Sequence, residues 1–129
     1  MIFGIGIDVV ENARIAEAIR RHGDHFLEKV YQTAEVEYCR TMRDPAPHFA
    51  ARFAAKEAVS KAFGTGFAGE FDWKDIEVRR KASGEPFIVL HQGAAELAKR
   101  VGVCLVLISL SHSSDYAVAN AVLIKEGTT

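Results

Sequence analysis

The chain has 129 residues, 49% of them hydrophobic and 26% charged, with a formal net charge of −1. That length suits one domain, over residues 1–129, able to bury a genuine core, and the near-neutral charge argues against generic nucleic-acid binding, which shows a basic excess. No apolar run has the length of a membrane span, and the apolar start carries neither a basic leader nor a cleavage site, so a cytoplasmic protein without membrane attachment is expected.

The first eleven residues, Met-Ile-Phe-Gly-Ile-Gly-Ile-Asp-Val-Val-Glu, form an apolar run that reads as a buried strand. Asp8 lies among Ile7, Val9 and Val10, where a carboxylate is disfavoured by propensity and costly to desolvate. Gly4 and Gly6 weaken a strand and mark a close approach of another backbone or a ligand. No third glycine follows at dinucleotide spacing, so a Rossmann site is not expected. A helix should run from about Asn12, as its capping residue, to a stop near Gly23. Arg14 and Arg21, seven apart, share one of its faces, while Ile15 and Ile19 form a neighbouring stripe that packs inward.

A short helical turn around His25 to Val30 precedes another helix beginning at Thr33, where Glu35 and Glu37 suit an N-terminus. Asp44-Pro45-Ala46-Pro47 breaks it and launches a long helix from about His48 to Phe63. That helix is built largely from Ala and Phe, yet carries Lys56, Glu57 and Lys61. Glu57 and Lys61, four apart, lie on one face. A buried ionised group must be paired, hydrogen-bonded or metal-bound. The Gly64-Thr65-Gly66 exit can end the helix and bring backbone close to a ligand. Taken alone, the helix leaves two readings open: a site for a metal-bound phosphate, or an exposed edge with an ordinary Glu–Lys pair. Asp8 favours the first, since Asp8 and Glu57 together offer two hard oxygen ligands to magnesium, with substrate phosphates completing the shell.

Downstream, Ile76 to Lys81 and Pro86 to Leu90, joined through Ala82-Ser83-Gly84-Glu85, read as a hairpin. A helix from about Gln92 to Val101 stops at Gly102. Two strands, Val103 to Ser111 and Tyr116 to Ile124, then close the chain. The expected class is α+β, mixed helices with a mainly antiparallel sheet. In the last strand Ala117, Ala119 and Ala121 alternate with Tyr116, Val118, Asn120 and Val122, a flat methyl face that a helix or another subunit could approach closely. Cys39 and Cys104 fall in core-like patterns and read as reduced packing thiols.

The combination of Gly4-Ile5-Gly6-Ile7-Asp8, Phe53-Ala54-Ala55-Lys56-Glu57-Ala58-Val59-Ser60-Lys61, the Gly64-Thr65-Gly66 exit, Ser83-Gly84-Glu85-Pro86 and Ser109-Leu110-Ser111-His112 is highly specific. Through it the chain closely resembles, over essentially its full length, the holo-acyl-carrier-protein synthases. These are the short, bacterial-type members of the 4′-phosphopantetheinyl transferase superfamily. The resemblance implies transfer of the phosphopantetheine arm of coenzyme A to a serine of apo acyl carrier protein, releasing 3′,5′-ADP, with fatty-acid biosynthesis as the default setting. It implies that Asp8 and Glu57 bind magnesium, that Lys61 stabilises developing phosphate charge, and that Glu57, or a metal-bound water it orients, accepts the serine proton. Coenzyme A would be held by Arg52, Lys56, Lys61, Gly64, Thr65, Gly84, Pro86, Ser111 and His112, with His112 near the substrate phosphates.

Acyl carrier proteins are acidic, so Arg14 and Arg21 would dock the partner. The resemblance further implies a homotrimer whose sites lie between subunits. Asp8 and Glu57 need not then come from the same chain as His112 or the Gly84 turn. The remaining histidines, His22, His25, His48 and His91, read as surface or capping residues. Gln32, before Thr33, departs from the family pattern at the entry of the second helix. Two other readings compete: a non-catalytic coenzyme A or nucleotide-binding module, and a structural oligomer in which Asp8, Glu57 and Lys61 form a buried charge network.

Overall fold

A strand can lie against a helix at backbone contact only where side chains are missing, and Gly4 and Gly6 provide that gap. In the computed structural model, which describes residues 1–64 and 71–127, a Cβ on Gly4 would stand 2.0 Å from the Ala62 carbonyl oxygen, and one on Gly6 2.0 Å from that of Ala58. The strand is β1 (Ile2–Glu11) and the helix is the long central one, α4 (Pro45–Phe63). The close approach expected at these glycines is therefore to a backbone.

Between them come α1 (Asn12–His22), α2 (Asp24–Val30) and α3 (Thr33–Arg40). Gly23 ends α1 with φ 53°. Asn12 does not cap α1: Glu11 holds that position, while the Asn12 side chain donates to the Ser113 carbonyl at 2.9 Å. It ties the start of α1 to the distant β4–β5 turn. Gln32 precedes α3: its backbone N–H donates to Glu35 at 2.9 Å, closing the helix entry, while its side-chain amide donates to the Lys74 carbonyl at 2.7 Å. Helix α4 starts one turn earlier than expected, because Pro45 and Pro47 occupy its first turn, where a missing N–H costs nothing.

A 3-10 turn (Trp73–Asp75), which the sequence pattern did not reveal, leads into the hairpin β2 (Ile76–Arg80) and β3 (Pro86–Leu90). Helix α5 (Gln92–Val101) and strands β4 (Val103–His112) and β5 (Tyr116–Lys125) complete the chain. The main sheet is antiparallel in the order β1-β5-β4, and β2-β3 pair separately. The architecture is α+β, as expected.

The core lies between one face of the main sheet and α4. Ala117, Ala119 and Ala121 of β5 lie against α4, and they are buried together with its Ala50, Ala51, Ala54, Ala55, Ala58 and Ala62. Small side chains on both partners let helix and sheet approach closely, so the methyl face accommodates the helix. The other face of the sheet is bare: Ile5 is 70% exposed, Ile7 65% and Val9 63%, beside exposed Leu105, Leu107 and Tyr116. Strand β1 is thus covered on one side only within the single chain, contrary to the expected buried strand. Cys39 is fully buried and its thiol is pushed up to about 11 by burial, whereas Cys104 is exposed rather than packed.

Candidate active site

Asp8 follows Gly4 and Gly6 on the strand face turned toward α4, because alternate residues share a face. Lys61 of α4 reaches across to it. Its Nζ donates to Asp8 Oδ1 at 2.9 Å and to the Ile7 carbonyl at 3.1 Å. The Lys61 side chain is 53% exposed and that of Asp8 17%, so the pair borders solvent. One turn before Lys61, the partly buried Glu57 receives a hydrogen bond at 3.0 Å from the indole Nε1 of Trp73. The ring of Trp73 stacks on Phe53, one further turn back on the same face of α4, with centroids 6.1 Å apart.

These are two carboxylates with an ammonium at an open edge. Among the described residues no group of three or more His, Cys, Asp or Glu is placed to hold a metal. Two carboxylates alone still fit magnesium, which keeps several waters or substrate oxygens in its shell and needs few protein ligands.

A second cluster lies elsewhere. The His112 ring at the end of β4 meets the His48 ring at 5.0 Å, and His48 in turn meets Tyr38 at 6.4 Å. The Arg52 guanidinium sits over Tyr38, 4.3 Å from its centroid, and that of Arg80 lies 5.5 Å away. Arg80 also donates to the Gly84 carbonyl at 2.6 Å. Tyr38 thereby links Arg52, His48, His112 and the hairpin turn that carries Gly84, Glu85 and Pro86. Gly84 has φ 91°, the left-handed conformation that the turn requires. Arg52 is only 2% exposed, yet its Nε has no hydrogen-bond partner among the described residues. Burial and the adjacent His112, Arg52 and Arg80 hold His48 below the usual histidine range. Such crowding of cations suits an anionic ligand.

The structure does not bring the two clusters onto one side of α4. At about 100° per residue, His48 is half a turn round the helix from Glu57, and Arg52 about 140° round. Lys56 joins neither. It is fully buried, and its Nζ donates to Glu35 at 2.8 Å, to Trp73 O at 3.1 Å and to Ile76 O at 2.5 Å. With all three protons engaged inside the protein, Lys56 has none for coenzyme A. Its expected ligand contact is corrected to a scaffold role, joining α3, α4, the 3-10 turn and β2. Burial lowers the pKa of this ammonium, opposed by Glu35 beside it.

Gly64 ends α4 with φ 84°, as its expected role requires, while Thr65 lies outside the described residues. Ser111 is exposed next to His112. Arg14 and Arg21 are exposed on α1, and Arg20 is taken by Glu17 at 2.6 Å. His22 and His25 are exposed as expected. His91 holds the N-cap position of α5, within the expectation, and its Nε2 also contacts buried Glu77 at 2.8 Å, whereas His48 belongs to the cationic cluster. The sequence reading missed Tyr38, His48, Trp73 and Arg80. Only His48 left a usable trace, its spacing of four from Arg52.

Residues 4–121 match the family model of the 4′-phosphopantetheinyl transferase superfamily. The chain belongs to that family. A holo-acyl-carrier-protein synthase of Koribacter versatilis (strain Ellin345) is 48% identical over 123 residues, covering 95% of this chain and 98% of the relative. The crystal structure of holo-acyl-carrier-protein synthase from Neisseria meningitidis superimposes with a TM-score of 0.89 at 31% identity, covering 97% of this chain and 100% of that one. The Bacillus anthracis synthase, crystallised in complex with CoA (3′,5′-ADP), gives a TM-score of 0.81 at 36% identity over 98% of this chain and 99% of its own. Membership in the holo-acyl-carrier-protein synthase group makes the chain a phosphopantetheinyl transferase, and the α+β fold is shared with these structures.

Proposed function

We propose that this chain transfers 4′-phosphopantetheine from coenzyme A to a serine of apo acyl carrier protein, releasing 3′,5′-ADP. The observation that carries the reading is the Asp8–Lys61–Glu57 arrangement at an open strand–helix edge, in a chain of this family. The serine oxygen attacks the phosphorus that bears the pantetheine arm. A new P–O bond forms as the bond to the ADP phosphate breaks, and the electron pair leaves with 3′,5′-ADP. Glu57 takes the serine proton, a role typically worth about a hundredfold or more in rate. Lys61 stabilises the charge that builds on the departing phosphate. Asp8 and Glu57 would hold magnesium, which when bound neutralises pyrophosphate charge.

Arg52, His112 and the Gly84 turn fit the nucleotide end of coenzyme A, with cations and a glycine backbone. Because that cluster and the Glu57 face lie on different sides of α4, one coenzyme A is best served by two copies of the chain. The bare sheet face, with exposed Ile5, Ile7, Val9, Leu105 and Leu107, supports a homotrimer that covers it. Arg14 and Arg21 would dock the acidic carrier. Among the described residues no helix is long and apolar enough to cross a membrane. A cytoplasmic enzyme of fatty-acid biosynthesis is the setting we propose.

The test is mass spectrometry of an apo fatty-acid acyl carrier protein incubated with this protein, coenzyme A and magnesium. A gain of one phosphopantetheine, lost with chelator or in Asp8→Ala, is expected. No gain from folded protein with several apo carriers would overturn the reading in favour of a binding module.

A further inference from the structure

We infer that Trp73 is a positioning residue for the Glu57 carboxylate, so that its indole N–H sets the orientation in which Glu57 meets the metal and the serine proton. This rests on the transferase reading above. A carboxylate on an alanine-rich helix face can rotate, and here Trp73 Nε1 fixes one of its oxygens at 3.0 Å. A group that holds a metal ligand in place from outside typically changes metal affinity or activity by about 10–100-fold when removed.

The indole is itself held from several directions. Its ring stacks on Phe53 at an interplanar angle of 25°. The Lys29 ammonium lies 5.8 Å from its centroid. The main-chain carbonyl of Trp73 accepts from the buried Lys56 Nζ, and the 3-10 turn that carries this residue is closed by a 3.0 Å bond from the Asp75 N–H to Asp72 O. Phe53, Lys56 and Glu57 all belong to α4, so stacking, backbone anchor and recipient move as one unit. The Lys56–Glu35 pair thus bears on the site through Trp73, although it touches no ligand. A phenylalanine at position 73 would keep an aromatic ring beside Phe53 and lose the donor.

Trp73 is also the sole tryptophan of the chain, which makes it a reporter of its own contact. Magnesium titrated into the unaltered protein should change the indole emission over the same concentration range that activates transfer. Trp73→Phe should raise the magnesium concentration for half-maximal transfer about tenfold and lower kcat, leaving KM for coenzyme A unchanged. Replacing the indole by the isosteric benzothienyl amino acid keeps the ring area and removes the N–H, so it should reproduce the shift even if the phenylalanine variant folds poorly. Wild-type magnesium dependence in the analogue, or an emission indifferent to magnesium in active protein, would overturn the inference while leaving the transferase reading intact. Absence of transfer by the unaltered protein would overturn both.

Discussion

Two lysines of α4, five residues apart, make carboxylate contacts of nearly equal length and are suited to opposite tasks. Lys56 meets Glu35 at 2.8 Å with both side chains at 0% exposure, and Lys61 meets Asp8 at 2.9 Å with 53% and 17%. Contact length therefore says little about role. The interior pair has no water to fall back on, so each charge depends on the other and on carbonyls. The edge pair can exchange its partner for water or a ligand at small cost. One fixes the frame, and the other is available for chemistry.

Removing one ammonium at a time separates the two lysines. Lys56→Met leaves Glu35 charged and buried, and should lower unfolding free energy by about 3–5 kcal/mol in urea titration. Lys61→Met should cost less than about 1 kcal/mol of stability, yet slow transfer by about 10²–10³-fold at saturating substrates. If Lys61→Met unfolds the protein as readily as Lys56→Met does, the distinction fails.

A smaller effect is expected on α1. Replacing Arg14 and Arg21 together by alanine should raise KM for the apo carrier and blunt its dependence on salt, with kcat at saturating carrier unchanged. An unaltered salt profile would exclude these arginines from docking.

The smallest effect concerns pH. Burial, then His112, Arg52 and Arg80, lower the pKa of His48 in the folded state from its ordinary 6.5. As pH falls through that value the unfolded chain takes up the proton first, so stability is lost progressively on acidification and is fully present at higher pH. His48→Gln removes this contribution, and its Tm should fall less than that of the unaltered protein between about pH 7.5 and 5.5. An identical fall in both would show that His48 does not sense its cationic neighbours.

Much of this was legible in the sequence because local chemistry and fold agree. Gly4 and Gly6 marked a close approach of a backbone or a ligand, Gly23, Gly64 and Gly102 ended their helices, and Glu57 and Lys61 shared a face by spacing alone. What stayed hidden depended on partners distant in the chain. Lys56 reads as available beside Glu57, since nothing local says that Glu35 and the Trp73 and Ile76 carbonyls enclose it. Trp73 lies in a turn without periodicity. Strand β1 is apolar on both faces, so its pattern matches a strand buried on both sides, although one chain covers only the α4 side. Cys104 was misread for the same reason, on a strand whose second face the chain leaves open.

The meeting of Gly4 and Gly6 with Ala62 and Ala58 also bears on how the sequence can vary. The spacing between β1 and α4 at that point is fixed by main-chain atoms, with no rotamer to adjust. Volume changes among the side chains behind α4 should alter stability while the separation of Asp8 from Lys61 stays the same. The Asp8–Lys61 pair is thereby insulated from drift in the core, and the cost falls on two positions where even one added methyl group would force strand and helix apart.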